Sequence, residues 1–306
     1  MKKYLIFGNE GQLGKEFSHL LTNAEIEHYG YDLPAVDLFN YAQIDSVIKR
    51  HEPDIIINCA AFNNVDLAEF EYEAAYRTNV LGVDNLVRLC EKNDIKLVHF
   101  STDYVFNGIK RFPGLYDEDD IPDPVNNYGR TKLEGEKLIQ ENLENFLIFR
   151  LSWLYGKGEQ NFIHKLLTWA KDTKILKIAN DELSVPTSTR LVAEISLKAI
   201  NNNLTGLFHL TNTGYASRFD WAKEVFEIME IKQIIYPAKV LDFALPAKRP
   251  NFSAMSNKKI AEKLQIEIPF WKDELARFLK AQFIDDNLPQ EHKYKRLKNE
   301  IGFHEL

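Results

Sequence analysis

Short apolar runs alternate with longer stretches of helical spacing through the first half of the chain. Tyr4-Leu5-Ile6-Phe7 and the segments 26–31, 54–58, 96–101 and 146–150 predict β-strands. Asp54-Ile55-Ile56-Ile57-Asn58 is apolar on both faces, as a strand buried in a parallel sheet must be. Helical patterns over 12–21, 41–50, 74–92 and 125–141 fall between these runs. Strands alternating with helices predict an α/β fold, a Rossmann-type doubly wound parallel sheet.

From about residue 152 the alternation loosens, with helices expected at 162–171, 190–201 and 219–229 and short strands at 175–179 and 206–210. Residues 1–151 are expected to form the Rossmann domain, to which later segments are free to return. Residues 152–284 are expected to form a smaller α/β lobe over the carboxyl ends of the strands, and 285–306 a charged C-terminal tail. The Pro-, Gly- and Asp-rich stretch 108–124 is long for a connection and predicts a functional loop over the site.

The formal net charge of -7 argues against nucleic acid as the main partner. It does not exclude an anionic small molecule held by local amides and a few basic side chains. Cys59 and Cys90 read as small buried hydrophobes of a reducing compartment, without zinc spacing, and no metal is expected. The N-terminal apolar run is too short for a secretion signal, and no stretch reaches membrane-spanning length. A cytoplasmic protein without membrane association is the expectation.

Three segments carry candidate chemistry. Gly8-Asn9-Glu10-Gly11-Gln12-Leu13-Gly14 links the first strand to the first helix with G-x-x-G-x-x-G spacing. Gly8 permits a tight turn, Gly11 lets backbone amides approach a pyrophosphate, and Gly14 lets helix and strand pack closely. The helix N-terminus then offers free N–H groups to an anion. Asp32, at the end of the second strand, is placed to hydrogen-bond an adenosine ribose and repel a 2′-phosphate, which leans toward NADH. A surface loop acid would look the same. Asn58-Cys59-Ala60-Ala61 ends the third strand with small residues that leave room for a cofactor. Asn79 either braces that strand or is an ordinary helix-surface residue.

Tyr128-Gly-Arg-Thr-Lys132 puts a phenol and an ammonium on one helix face. The lysine is expected to lower the tyrosine pKa from about 10 and so make the phenol a proton donor. Thr102, past the end of the fourth strand, lies where ligands bind in such sheets and is placed to polarise a carbonyl. Trp153 reads equally as a core residue and as a pocket wall.

The order of these segments resembles the extended short-chain dehydrogenase/reductase superfamily. Four stretches narrow it: 58–69 (N-C-A-A-F-N-N-V-D-L-A-E), 101–106 (S-T-D-Y-V-F), 127–136 (N-Y-G-R-T-K-L-E-G-E) and 150–156 (R-L-S-W-L-Y-G). Together they resemble the dTDP-4-dehydrorhamnose reductase family over all but the charged tail. The resemblance implies hydride transfer from NADPH or NADH to the C4 ketone of a nucleotide-linked 6-deoxyhexulose, in polysaccharide precursor synthesis. Carried over by motif, Tyr128, Lys132 and Thr102 are catalytic. Gly8, Gly11, Gln12, Leu13, Gly14, Asp32, Asp37, Leu38, Ala60, Ala61, Phe62 and Asn63 match cofactor positions. Val65, Asp103, Tyr104 and Trp153 match positions lining the sugar pocket. A homodimer is open on the same grounds. The chain departs from the family's D-Q-x-G-x-P-T pattern at Glu182 and Ser184, which puts the sugar and nucleotide in question. The alternatives are a reductase of another 4-keto-6-deoxysugar nucleotide and a non-catalytic dinucleotide-binding regulatory subunit.

Overall fold

The structure is a computed structural model and describes residues 2–110 and 114–284; the expected charged tail lies outside these residues. Six strands form one parallel sheet: β1 (Tyr4–Phe7), β2 (His28–Tyr31), β3 (Ile55–Asn58), β4 (Lys96–Thr102), β5 (Phe146–Leu151) and β6 (Gly206–His209). Their spatial order is β6-β5-β4-β3-β1-β2, and every neighbouring pair is parallel. Strand β6, whose apolar run lies well inside the second half of the sequence, pairs with β5 and extends the main sheet.

Alternation of side chains splits the strands between two cores. Tyr4, Ile6, Ile57, Val98 and Phe149 pack on one face with Leu13, Phe17 and Leu21 of α1 (Gln12–Asn23) and with Val192 and Ile200 of the helix Thr189–Asn201. Leu5, Phe7, Ile56, Leu97 and Ile148 pack on the other with Ile44, Val83, Leu86 and Ile139. Sequence order reverses between β1 and β3, so the crevice at their carboxyl ends is the switch point of the sheet.

The second half builds its own core from Trp153, Tyr155, Trp221, Trp271 and Leu275. A smaller cluster of Val105, Phe106, Tyr116, Val185, Phe252 and Met255 packs segments of both halves together beside the carboxyl end of β4. The expected helix 74–92 is not continuous. It runs as Tyr72–Tyr76, a π-helical turn Arg77–Leu81 and then Gly82–Asn93. Asn79 lies in the π turn. Its Oδ1 accepts from Phe62 N (2.9 Å), and its Nδ2 donates to Phe62 O (3.0 Å) and Thr131 Oγ1 (3.0 Å). The local change of pitch thus serves the loop after β3, a usual association for such turns.

Candidate active site

The glycine-rich loop has the form its spacing predicts. Gly8 has φ +76°, and a Cβ there would lie 2.5 Å from Ala60 N, so the turn after β1 presses on the loop after β3. A Cβ on Gly14 would lie 2.2 Å from Gly8 O, which leaves no room for a side chain between α1 and the loop. Gly11 begins α1 with no side-chain cap, and no acidic residue lies in its first turn. The uncapped N–H groups fit a diphosphate. Gln12 is half-buried and its Oε1 accepts from Asn161 Nδ2 (3.0 Å), whereas the Leu13 side chain belongs to the core.

Asp32 accepts from Glu10 N (3.1 Å) and Leu33 N (2.8 Å) and so ties the glycine loop to the end of β2. Asp37 accepts from Arg77 Nη2 at 2.7 Å, and that guanidinium sits 4.2 Å above the Phe39 ring. The Asp32 carboxylate, which leans toward NADH, is therefore accompanied by a cation that the π turn delivers from forty residues beyond Asp37. Leu38 is buried, and its carbonyl accepts from Asn85 Nδ2 (2.9 Å). Ala60 N donates to Asn58 Oδ1 (3.1 Å). Ala61, Phe62 and Val65 are half-buried along the same loop, while Asn63 is exposed.

Asn126 starts the helix Asn127–Asn142 by accepting from Gly129 N (2.8 Å), which puts Tyr128 in its first turn. A Cβ at Gly129 would lie 2.1 Å from Tyr104 O, so the helix start abuts the 3₁₀ turn Asp103–Val105 that follows β4. Tyr104 and Tyr128 meet edge to face, with ring centroids 6.1 Å apart. The Thr102 hydroxyl lies beside the Tyr128 phenol and acts to lower its pKa. Thr102 Oγ1 also accepts from Tyr104 N (3.1 Å) and donates to Asp103 Oδ1 (3.2 Å).

Tyr128 and Lys132 titrate differently from the expectation. Burial pushes the Tyr128 phenol up to about 12; the Thr102 hydroxyl works against that rise, and the Asp103 charge adds to it. Lys132 is buried, and desolvation brings its ammonium down to about 8 against the pull of Glu136. Its Nζ lies 3.2 Å from His99 Nε2. The lysine does not depress the tyrosine, because its own charge is penalised by the same dry surroundings.

Beneath Thr102, buried Asp103 Oδ2 accepts from Ser184 Oγ (2.7 Å) and Ser253 Oγ (2.5 Å). Burial raises its pKa to about 6, with Ser253 and Ser184 opposing and the Glu182 charge adding to the rise. A carboxyl with a raised folded pKa contributes stability that is full below its unfolded value and is lost as pH rises through the folded one. Asp103 should therefore make the protein less stable between pH 3.8 and about 6. The loss should be about 3 kcal/mol over that interval. Asp103→Asn should gain on wild type by this amount across the same range in urea unfolding, and parallel curves would refute the shifted carboxyl.

The two departures from the family pattern both enter this network. Ser184 Oγ joins Asp103 to Ser152 Oγ (2.6 Å). Glu182 Oε1 accepts from Tyr104 OH (2.9 Å), and its Oε2 lies 3.7 Å from Arg218 Nε. Arg218 sits 3.7 Å above the Trp153 ring, which stacks on Trp221 with centroids 5.8 Å apart. Trp153 has φ +41°, unusual for a bulky residue, and its buried Nε1 has no hydrogen-bond partner among the described residues. Arg249 grips Asp66 through two hydrogen bonds of 2.6 and 2.7 Å, joining the segment before Pro250 to the loop after β3. Arg218, Ser253 and His99 carry no mark of the site in the sequence. Each is an ordinary residue locally and reaches the site only through tertiary packing.

A parallel sheet with a glycine-rich turn at its switch point, and a Thr/Tyr/Lys set at the end of β4, defines the extended short-chain dehydrogenase/reductase class. The family model described as RmlD substrate binding domain matches residues 1–283, and the chain belongs to that family. It is 32% identical to a dTDP-4-dehydrorhamnose reductase of Aggregatibacter actinomycetemcomitans, over 89% of this chain and 96% of the relative. It is 31% identical to the spore coat polysaccharide biosynthesis protein SpsK of Bacillus subtilis (strain 168), over 92% and 98%. A crystal structure of dTDP-4-dehydrorhamnose reductase from Bacillus anthracis in complex with NADP matches with a TM-score of 0.88 and 33% identity, covering 92% of this chain and 99% of that one. The Thermus thermophilus UDP-glucose 4-epimerase, in complex with NAD, shares the fold at 18% identity and a TM-score of 0.77. Among the described residues no helix is long and apolar enough to cross a membrane.

Proposed function

We propose that the chain reduces the C4 ketone of dTDP-4-dehydro-L-rhamnose to dTDP-L-rhamnose, using NADPH or NADH. The observation that carries this is the placing of Thr102 beside the Tyr128 phenol at the carboxyl end of β4, with an uncapped glycine-rich helix start at the switch point of the same sheet. The bound dinucleotide would supply the hydride. The amides of Gly11, Gln12 and Leu13 hold its diphosphate, Asp32 and Asp37 border its adenosine end, and Ala60, Ala61, Phe62 and Asn63 flank its path. Lys132 holds the nicotinamide ribose. The Tyr128 hydroxyl gives its proton to the carbonyl oxygen as alkoxide charge develops there, and Thr102 turns its hydroxyl proton from Asp103 to the same oxygen. Val65, Asp103, Tyr104 and Trp153 shape the sugar site. The unpartnered Trp153 Nε1 is a donor available to a ligand oxygen.

In this proposal residues 1–151, with β6, bind the cofactor and one side of the sugar, and 152–284 complete the sugar pocket of a cytoplasmic enzyme. A sibling ketone is the second reading, favoured by the buried charge of Glu182 where the family has a neutral Gln. A relative from Streptomyces niveus, 32% identical over 74% of this chain, is a dTDP-4-keto-6-deoxy-D-glucose reductase. The test is oxidation of NADPH and of NADH by the purified protein, with dTDP-4-keto-6-deoxyglucose given with and without its 3,5-epimerase. Cofactor loss only with the epimerase, yielding dTDP-rhamnose, supports the first reading. Loss without it supports the second, and no loss in any arm removes both.

A further inference from the structure

Asn58 and His99 are register partners on the adjacent strands β3 and β4. Both are buried, and His99 lies in contact with Lys132. The polarity of this chain of contacts can be followed atom by atom from its fixed end. Ala60 N is a backbone amide and only donates, so the Asn58 atom 3.1 Å away is its carbonyl Oδ1. Asn58 Nδ2, the other end of that amide, therefore faces His99 Nδ1 at 3.1 Å, and it only donates. His99 Nδ1 must be the acceptor. Burial holds His99 well below the ordinary histidine range, so the ring is neutral and, with Nδ1 accepting, carries its single proton on Nε2. That N–H points at Lys132 Nζ, 3.2 Å away. An ammonium there would set donor against donor; an amine accepts.

We propose that His99, oriented by Asn58, is a positioning residue that favours the neutral amine of Lys132 over its ammonium against β4 when no cofactor is bound. The groups around Lys132 fit this state. Glu136 on the same helix already takes three hydrogen bonds from Arg150, and the Cys59 thiol at the end of β3 is kept protonated by burial. Desolvation acts on Lys132 in the same direction. When Lys132 takes a proton from solvent, its three N–H groups can no longer face His99 Nε2–H. The charged side chain turns toward acceptors on the ligand side of the helix. His99 thus makes the charge of Lys132 and its position one event, which rests on the proposed place of Lys132 in the reductase site.

The test is ¹⁵N NMR of the His99 ring in the full, ligand-free chain. The Nε2–H tautomer is expected, and the Nδ1–H tautomer or a charged ring overturns the proposal. The second measurement follows the Lys132 side chain by ¹³Cε NMR against pH in wild type and in His99→Gln, whose amide can turn its oxygen to an ammonium. Lys132 should titrate higher in the variant by about one pH unit, and an unmoved titration also overturns the proposal. Should His99→Gln fail to fold, the wild-type tautomer alone decides. Neither measurement needs substrate, so an inactive wild type would refute the reductase reading while leaving this readout intact.

Discussion

Replacing Tyr128 by phenylalanine is expected to cut turnover by roughly a hundredfold or more, the usual worth of a general acid, while cofactor affinity stays nearly unchanged. The ring's edge contact with Tyr104 and its place in the first helical turn survive the change, so the substitution removes only the hydroxyl. Burial keeps that phenol protonated through the neutral range, which suits it to deliver a proton rather than to accept one. Thr102 still accepts from the Tyr104 amide and can turn its hydroxyl proton from Asp103 to the carbonyl, so a variant that lacks the phenol still has a hydrogen-bond donor there. Turnover within a few-fold of wild type would remove Tyr128 from the chemistry. Cofactor affinity, read by quenching of protein fluorescence, separates this outcome from a misfolded site.

Arg150→Met should be the most destabilising single change in the catalytic half. Glu136 is fully buried, and Arg150 Nε and Nη2 give it hydrogen bonds of 3.0, 3.2 and 2.7 Å. Removing the guanidinium strands a carboxylate in the core, at a cost of about 3–5 kcal/mol. The double variant Arg150→Met with Glu136→Leu should recover most of that loss, because no charge is then left without its partner. Urea unfolding midpoints at neutral pH measure both. A single-variant loss under about 1 kcal/mol would show that the pair is solvated or replaceable.

The strands were legible because a doubly covered parallel sheet needs continuous apolar runs, and 54–58 and 96–101 have them. The glycine loop was legible because close backbone approach excludes side chains at fixed intervals, as Gly8 and Gly14 show. The break in the helix at Arg77–Leu81 was not, since its cause is the hydrogen bonding of Asn79 to Phe62, seventeen residues upstream. The titration of Tyr128 was misjudged for a similar reason. Helical spacing shows that two side chains share a face, but not how dry that face is. His99 looked like one polar residue in a strand, and only the register with Asn58 and the reach of Lys132 give it a partner on each side.

Strand β6 has a consequence for how the protein is made. A ribosome releases β5 more than fifty residues before β6, so the outer edge of β5 emerges with its N–H and C=O groups unpaired. Until the segment Gly206–His209 arrives, the nascent sheet offers that edge to any neighbouring extended chain. A chaperone that binds extended apolar segments would find its substrate in this interval, and a translational pause placed before residue 206 would lengthen the exposure. Synonymous changes that slow translation of the stretch between β5 and β6 should therefore raise the aggregated fraction without altering a single amino acid.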